Sequence, residues 1–219
     1  MAKKSTVVRE KSLKTRERIL EASEKLFAEN GFDGASMRDI TALAKVNLSV
    51  AYYYFKDKEA LLFAVFDNYI KPLMTRQIEL LDAARKAAGA APIKLRNLLE
   101  ALILPRTECT SETVHQLFTM LLARRGVFEQ KVFEYLEATT REVRERFLKE
   151  FSLTFPEISE LELGFRLESV HAMLGGWKSI APFKKCKHAA GITPELGLEM
   201  FMTCVSAIFN APPTLSLKK

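Results

Sequence analysis

The chain has 219 residues, 48% of them hydrophobic and 15 of them phenylalanine, enough for a sizeable core and for a small head fused to a larger body. Its formal charge of +6 permits a polyanionic partner, and most of the excess lies between Met1 and Arg18, where seven Lys and Arg stand against two Glu. Three cysteines without CxxC spacing (Cys109, Cys186, Cys204) argue against a disulfide framework, and no apolar run suits a signal peptide or a membrane span, so a cytoplasmic protein is expected.

Helical periodicity dominates, and no alternating strand pattern with hairpin turns interrupts it. Residues 1–13 read as a basic flexible arm. The first helix is predicted from an N-cap at Thr15 to about Glu29, with Ile19, Ala22, Ser23, Leu26 and Phe27 along one buried stripe. Gly31 then supplies a left-handed residue, and Phe32 folds back toward Phe27. Ser36 and Asp39 form a capping box that starts a second helix, which ends at Ala44 or Lys45. Val46-Asn47 makes a tight turn, and Asn47 is the N-cap of a third helix from Leu48 to Tyr54. Val46 and Ala51 sit where a hydrophobic staple fixes its entry angle.

Asp57 caps a fourth helix carrying Leu61, Leu62, Val65, Phe66, Tyr69 and Ile70, and Pro72 is expected to kink or end it. Beyond Pro72 the pattern predicts helices over 73–88, 93–104, 112–125, 128–152, 158–180 and 194–210. The segment from Gly89 to Pro92, then Pro105, Gly126, Pro156 and the loop from Pro182 to Pro194 supply the breaks.

Helix, short turn, helix between Ser36 and Phe55 is the arrangement that lays a recognition helix in the major groove. Ala51 and Phe55 face inward with Val46, which leaves Leu48, Ser49, Tyr52 and Tyr53 on the opposite face. Exposed aromatics gain nothing in a free soluble protein. On DNA, phenol hydroxyls donate to phosphates and rings meet thymine methyls and sugars. Tyr54 fits either DNA contact or packing between helices.

Two stretches resemble the N-terminus of the TetR family. One is Arg18-Ile19-Leu20-Glu21-Ala22-Ser23-x-x-Leu26-Phe27-Ala28-Glu29-x-Gly31-Phe32 with Ser36-Met37-Arg38-Asp39-Ile40, and the other runs from Ala44 to Leu61. The resemblance, close over about residues 14–66, implies an all-α protein. A three-helix helix-turn-helix head (14–56) is joined by a connecting helix to a ligand-binding and dimerisation bundle (57–210), followed by a tail (211–219). It implies a transcriptional repressor that binds a palindromic DNA operator as a homodimer and is released by a small effector. Carried over by position, Thr15 and Ser36 bring helix N-termini to phosphates, and Asn47, Leu48, Ser49, Tyr52, Tyr53 and Tyr54 form the recognition helix. Lys56 and Lys58 reach backbone phosphate. Lys45 replaces the turn glycine usual in the family, which implies strain or an added phosphate contact.

Apolar faces of the body suggest an effector pocket of Tyr69, Leu99, Ile103, Phe118, Leu121, Phe133 and Met173, against the alternative that this stripe is core. Asn47-Leu48 before a Tyr-Phe-rich helix, with Phe155-Pro156-Glu157 and then Phe165-Arg166-Leu167, resembles a subgroup that includes fatty-acid-responsive and drug-efflux regulators, which implies an apolar or acyl-type effector. For dimerisation, Ala172, Gly175 and Gly176 allow close approach, and Phe201, Val205, Ile208 and Phe209 supply an apolar face, unless these residues pack within the monomer. No cofactor or catalytic residue is expected, because His115, His171 and His188 are scattered and no catalytic motif occurs. Cys186 and His188 in a basic loop have poor zinc spacing, so no metal is expected.

Overall fold

The computed structural model describes residues 2–108, 127–179 and 192–214, with side chains described from Ser12 onward and over 130–174 within the middle stretch. Among the described residues all regular structure is helical. The helices are α1 (Ala2–Gly34), α2 (Met37–Ala44), α3 (Leu48–Tyr54), α4 (Lys58–Ala88), α5 (Leu95–Glu108), α6 (Val127–Thr154), α7 (Glu160–Ser179) and α8 (Pro194–Asn210). The predicted helix over 112–125 lies outside the described residues, as do Phe118 and Leu121.

Where capping chemistry was readable, the boundaries agree. Thr193 caps α8, its Oγ1 accepting from the Leu196 N–H at 3.2 Å with Pro194 in the first turn. Asp57 caps α4 by accepting from the Ala60 N–H at 2.7 Å. Three expectations fail. Helix α1 begins at Ala2 rather than Thr15, because no Gly or Pro interrupts the chain before Thr15, and Thr15 is therefore interior rather than an N-cap. The stretch expected as a flexible arm carries helical backbone. Helix α4 continues through Pro72 and α5 through Pro105, each tolerating one missing N–H donor.

Gly31 interrupts α1 with φ 72° and ψ 172°. The positive φ was expected, but ψ is extended, a combination open essentially to glycine alone. Phe32 does return to Phe27, with ring centroids 5.7 Å apart.

The chain divides into two compact units, one of Met1–Lys71 with Thr110–Tyr135 and one of Pro72–Cys109 with Leu136–Lys219. In the first, Ile19, Phe27, Ile40, Ala51, Leu61, Leu62 and Phe66 are fully buried. The Lys131 ammonium of α6 pairs with Glu59 at 2.9 Å, and Tyr135 stacks on Phe63 at 4.2 Å, so the start of α6 is fastened to α4.

In the second unit α5, α7, α8 and the later turns of α6 share a core that includes Leu98, Leu99, Ile103, Phe151, Leu167, Val205 and Phe209. Phe151 stacks on Phe209 at 4.5 Å. Beside that core Glu162 and Arg166 form a buried ion pair at 2.6 Å. The Arg166 guanidinium also donates to the carbonyls of Ile208, Phe209, Ala211 and Pro212, at 2.8 to 3.1 Å. Glu162 accepts from the Thr214 N–H at 3.0 Å. One pair thus satisfies the open carbonyls at the end of α8 and fixes the segment after it. Removing one partner leaves an uncompensated buried charge, so Arg166→Met should cost about 3–5 kcal/mol in urea unfolding. The double variant Glu162→Leu/Arg166→Met should recover part of that loss, and additive losses would contradict the coupling.

Candidate nucleic-acid interface

Helix α2 is set at both ends. At its start Ser36 has extended backbone, its Oγ accepts from the Asp39 N–H at 3.1 Å, and the Asp39 carboxylate accepts from the Ser36 N–H at 3.3 Å. At its end Lys45 is left-handed, with φ 53° and ψ 49°. The Lys45 N–H donates to Ala42 O at 3.2 Å and the Val46 N–H to Thr41 O at 3.0 Å, the paired bonds of a Schellman turn. That position favours glycine, and a side chain there costs about 1–2 kcal/mol. The strain raised by the sequence is therefore present. Arg18 of α1 works against it: Nε and Nη2 donate to Ala44 O at 3.1 and 2.5 Å, and Nη2 to Lys45 O at 2.7 Å.

Helix α3 follows after three residues, Lys45, Val46 and Asn47. Asn47 has the extended backbone of an N-cap, but its side chain caps nothing, contrary to expectation, and it is exposed. Ala51 and Phe55 are buried, and the Arg16 guanidinium lies 5.4 Å from the Phe55 ring. Tyr54 is a packing residue: it is half-buried, its hydroxyl is 2.7 Å from Ser12 Oγ, and Tyr53 meets its ring edge-on at 5.2 Å. The opposite face is open. Tyr53 is 83% exposed and Tyr52 49%, with Ser49 exposed and Leu48 half-buried. Lys45 and Lys56 are exposed on either side of the helix in sequence.

Thr15, interior to α1, borders an open concavity with Arg18, Thr41, Lys45, Asn47 and Val50, so it lies beside the start of α3 without offering a helix N-terminus. Lys58 does not point outward as expected. Its ammonium donates to Phe32 O at 2.8 Å and Ala35 O at 3.0 Å and lies 4.3 Å from the Phe32 ring, tying the start of α4 to the turn before α2. The roles of Arg18, Arg16 and Lys58 escaped the sequence, because the partners of Arg18 and Lys58 stand 23 to 27 residues away and no local pattern marks them.

The body residues are dispersed. Leu99 and Ile103 are fully buried in the second unit's core, so the core alternative holds for them. Tyr69 (half-buried) and Phe133 (46% exposed) belong to the first unit, and Met173 (37% exposed) to the second. Phe201, Val205 and Phe209 are buried in the monomer core and Ile208 packs against it, which corrects their assignment to a dimer face. The opposite sides of the two last helices are the bare ones: Leu161, Phe165 and Ala172 on α7, Leu196 and Met200 on α8. Gly175 and Gly176 lie in the last turns of α7. His171 is 3.6 Å from Glu168, and burial holds its imidazole below the usual range, despite the opposing effect of the Glu168 carboxylate, which accepts from it. No group of three metal-ligating side chains occurs among the described residues, and no described helix is long and apolar enough to cross a membrane.

Residues 19–65 match the family of bacterial regulatory proteins described as tetR. The chain is 38% identical over 66 residues to the HTH-type transcriptional repressor NicS of Pseudomonas putida, a match covering 30% of this chain and 31% of NicS. It is 24% identical over 182 residues to the HTH-type transcriptional regulator UidR of Escherichia coli, covering 74% of this chain and 92% of UidR. Its fold is similar to that of Salmonella enterica GusR, with a TM-score of 0.58 at 21% identity over 90% of this chain and 96% of GusR.

The turn itself is open to a direct check. Lys45→Gly should leave stability equal or raise it by up to about 1 kcal/mol, since relief of strain outweighs the extra entropy of the unfolded chain. Lys45→Val should lower it by about 1–2 kcal/mol, because a branched side chain fits this conformation worst. Denaturant midpoints in the reverse order would mean that the turn is not left-handed.

Proposed function

We propose that the chain, which belongs to the TetR family of bacterial regulatory proteins, is a cytoplasmic repressor that sets the α3 helices of a homodimer into successive major grooves of a palindromic operator and is released by a small apolar or acyl-type effector. It is a DNA-binding transcriptional regulator and not an enzyme. The observation that carries the proposal is the open face of α3, where Tyr53 and Tyr52 stand in water while Ala51 and Phe55 beneath them are buried. A phenol there offers a hydroxyl to phosphate and a ring to thymine methyls. Asn47, Ser49, Lys45 and Lys56 extend the same exposed polar surface, and Ser36 brings the capped N-terminus of α2 to a phosphate.

In the proposed dimer the two protomers meet through the outward stripes of α7 and α8. Leu161, Phe165 and Ala172 repeat at four and seven residues along α7, and Leu196 and Met200 at four along α8, each on the side away from the core. Covering a Leu, Phe or Met side chain gains about 1.5–3 kcal/mol, and a second copy of the same two helices offers matching stripes. For the effector, Leu99 and Ile103 are withdrawn from the lining because the core already takes them. Release requires only that the effector favour the form with the wrong head spacing, and a coupling of about 1–3 kcal/mol lowers operator affinity roughly 5- to 150-fold.

Binding of a fluorescent duplex from the region upstream of the protein's own gene, titrated over a salt series, tests the DNA reading. Wild-type affinity should fall steeply with salt, and Tyr53→Ala should lose tenfold or more with an unchanged melting curve. Equal binding by Tyr53→Ala would remove α3 from the interface. Fatty acids and acyl-CoA thioesters added to the complex should release the duplex, and release by none of them would overturn the effector class. In sedimentation, Phe165→Glu should give a folded monomer, whereas Val205→Glu should unfold; a dimer that survives Phe165→Glu would exclude the α7 stripe.

A further inference from the structure

We infer that Arg18 acts twice at once, holding the turn that aims α3 through one edge of its guanidinium and taking a DNA phosphate through the other. The inference rests on the reading of α3 as the DNA-reading helix and adds a residue to it. A guanidinium carries five N–H donors in a rigid plane. In Arg18 the edge formed by Nε and Nη2 is spent on Ala44 O and Lys45 O, the last carbonyls of α2 and its turn. Nη1, with two further N–H donors, has no protein partner among the described residues, and the side chain is exposed. Arg18 lines the concavity that Thr15, Lys45 and Asn47 also border, at the N-terminal end of α3.

Both halves of this arrangement follow from the chemistry. Carbonyls at the end of a helix carry partial negative charge and attract a cation. Here the attraction also steadies a left-handed Lys45, the one non-glycine residue with positive φ among the described residues. Lysine at position 18 would keep the charge but present a single point of donors, unable to grip two carbonyls and reach outward in one fixed plane. A phosphate on Nη1 would therefore be tied through one rigid group to the turn before α3. Backbone contact and the pose of the recognition helix become a single event rather than two.

The test compares two DNA probes: a duplex enriched from a random-sequence pool by the wild-type protein, and an unrelated duplex of equal length. Arg18→Lys should keep the wild-type salt dependence but lose about tenfold or more in the affinity ratio between the two duplexes, the discrimination of one good base contact. Arg18→Gln should lose the ratio as well and flatten the slope of log affinity against log salt by about 0.9, the share of one phosphate. Lys56→Gln provides the contrast of a simple phosphate contact, with a flatter slope and an unchanged ratio. Helix content and sedimentation confirm that each variant is folded, and if Arg18→Gln does not fold, Arg18→Lys alone decides the aiming role. An unchanged ratio in Arg18→Lys overturns the aiming role, and an unchanged slope in a folded Arg18→Gln overturns the phosphate contact. Failure of the wild-type protein to enrich any sequence would overturn the DNA reading itself, and this inference with it.

Discussion

A helix of seven residues cannot hold itself together in water, and α3 has only seven. Everything that makes it a helix, and everything that decides where it points, comes from its neighbours. Ala51 and Phe55 are drawn into the apolar interior beneath it. The Ser12 hydroxyl meets Tyr54 at its far end, Arg16 lies over Phe55, and Arg18 grips the turn at its near end. All three residues belong to one seven-residue stretch of α1, so a single element sets both ends of α3. Lys58 does a related task below, binding the start of α4 to the turn that precedes α2. The outward face is left free of structural duty because the inward face, assisted by cations from α1 and α4, does all of it.

The second unit solves a different problem, since α7 and α8 are apolar on two sides. The core takes Phe201, Val205 and Phe209 from α8 and Leu163, Leu167 and Val170 from α7. What remains outside includes Leu161, Phe165, Leu196 and Met200, each at least 49% exposed. The monomer core takes one stripe, which closes around Phe151 and Leu98 within the same chain and needs no second molecule. The buried Arg166 then fastens the end of α8 to α7, which keeps both outward stripes on one firm support.

This explains what the sequence could and could not convey. Local chemistry was legible: the Ser36–Asp39 capping box, the start of α8 at Pro194 and the Leu48–Tyr54 span of α3 all depend on residues close together in sequence. So was the inward facing of Ala51 and the outward facing of Tyr52 and Tyr53. Breakers were over-read, since Pro72 and Pro105 each remove one hydrogen bond from a helix that has many others to retain it. Thr15 looked like a cap only because the basic residues before it looked like a tail. The choice between two apolar stripes on α8 was not legible at all, because periodicity identifies both and only the packed chain says which one the core claims.

The three consecutive tyrosines make the same point within one turn of helix. They are chemically identical and sequentially adjacent, yet Tyr54 is half-buried with its hydroxyl engaged while Tyr53 is almost wholly in water. Packing can account for Tyr54. It cannot account for Tyr53, whose edge-on contact with Tyr54 covers little of its ring. An exposed aromatic on a short helix is a loss for the isolated protein, in solubility and in helix propensity alike. Such a residue is explained by a surface met only on binding. On the reading proposed above, a polyanionic groove with methyl-bearing bases would meet this face between Lys45 and Lys56 and supply the apolar contact that it lacks on its own.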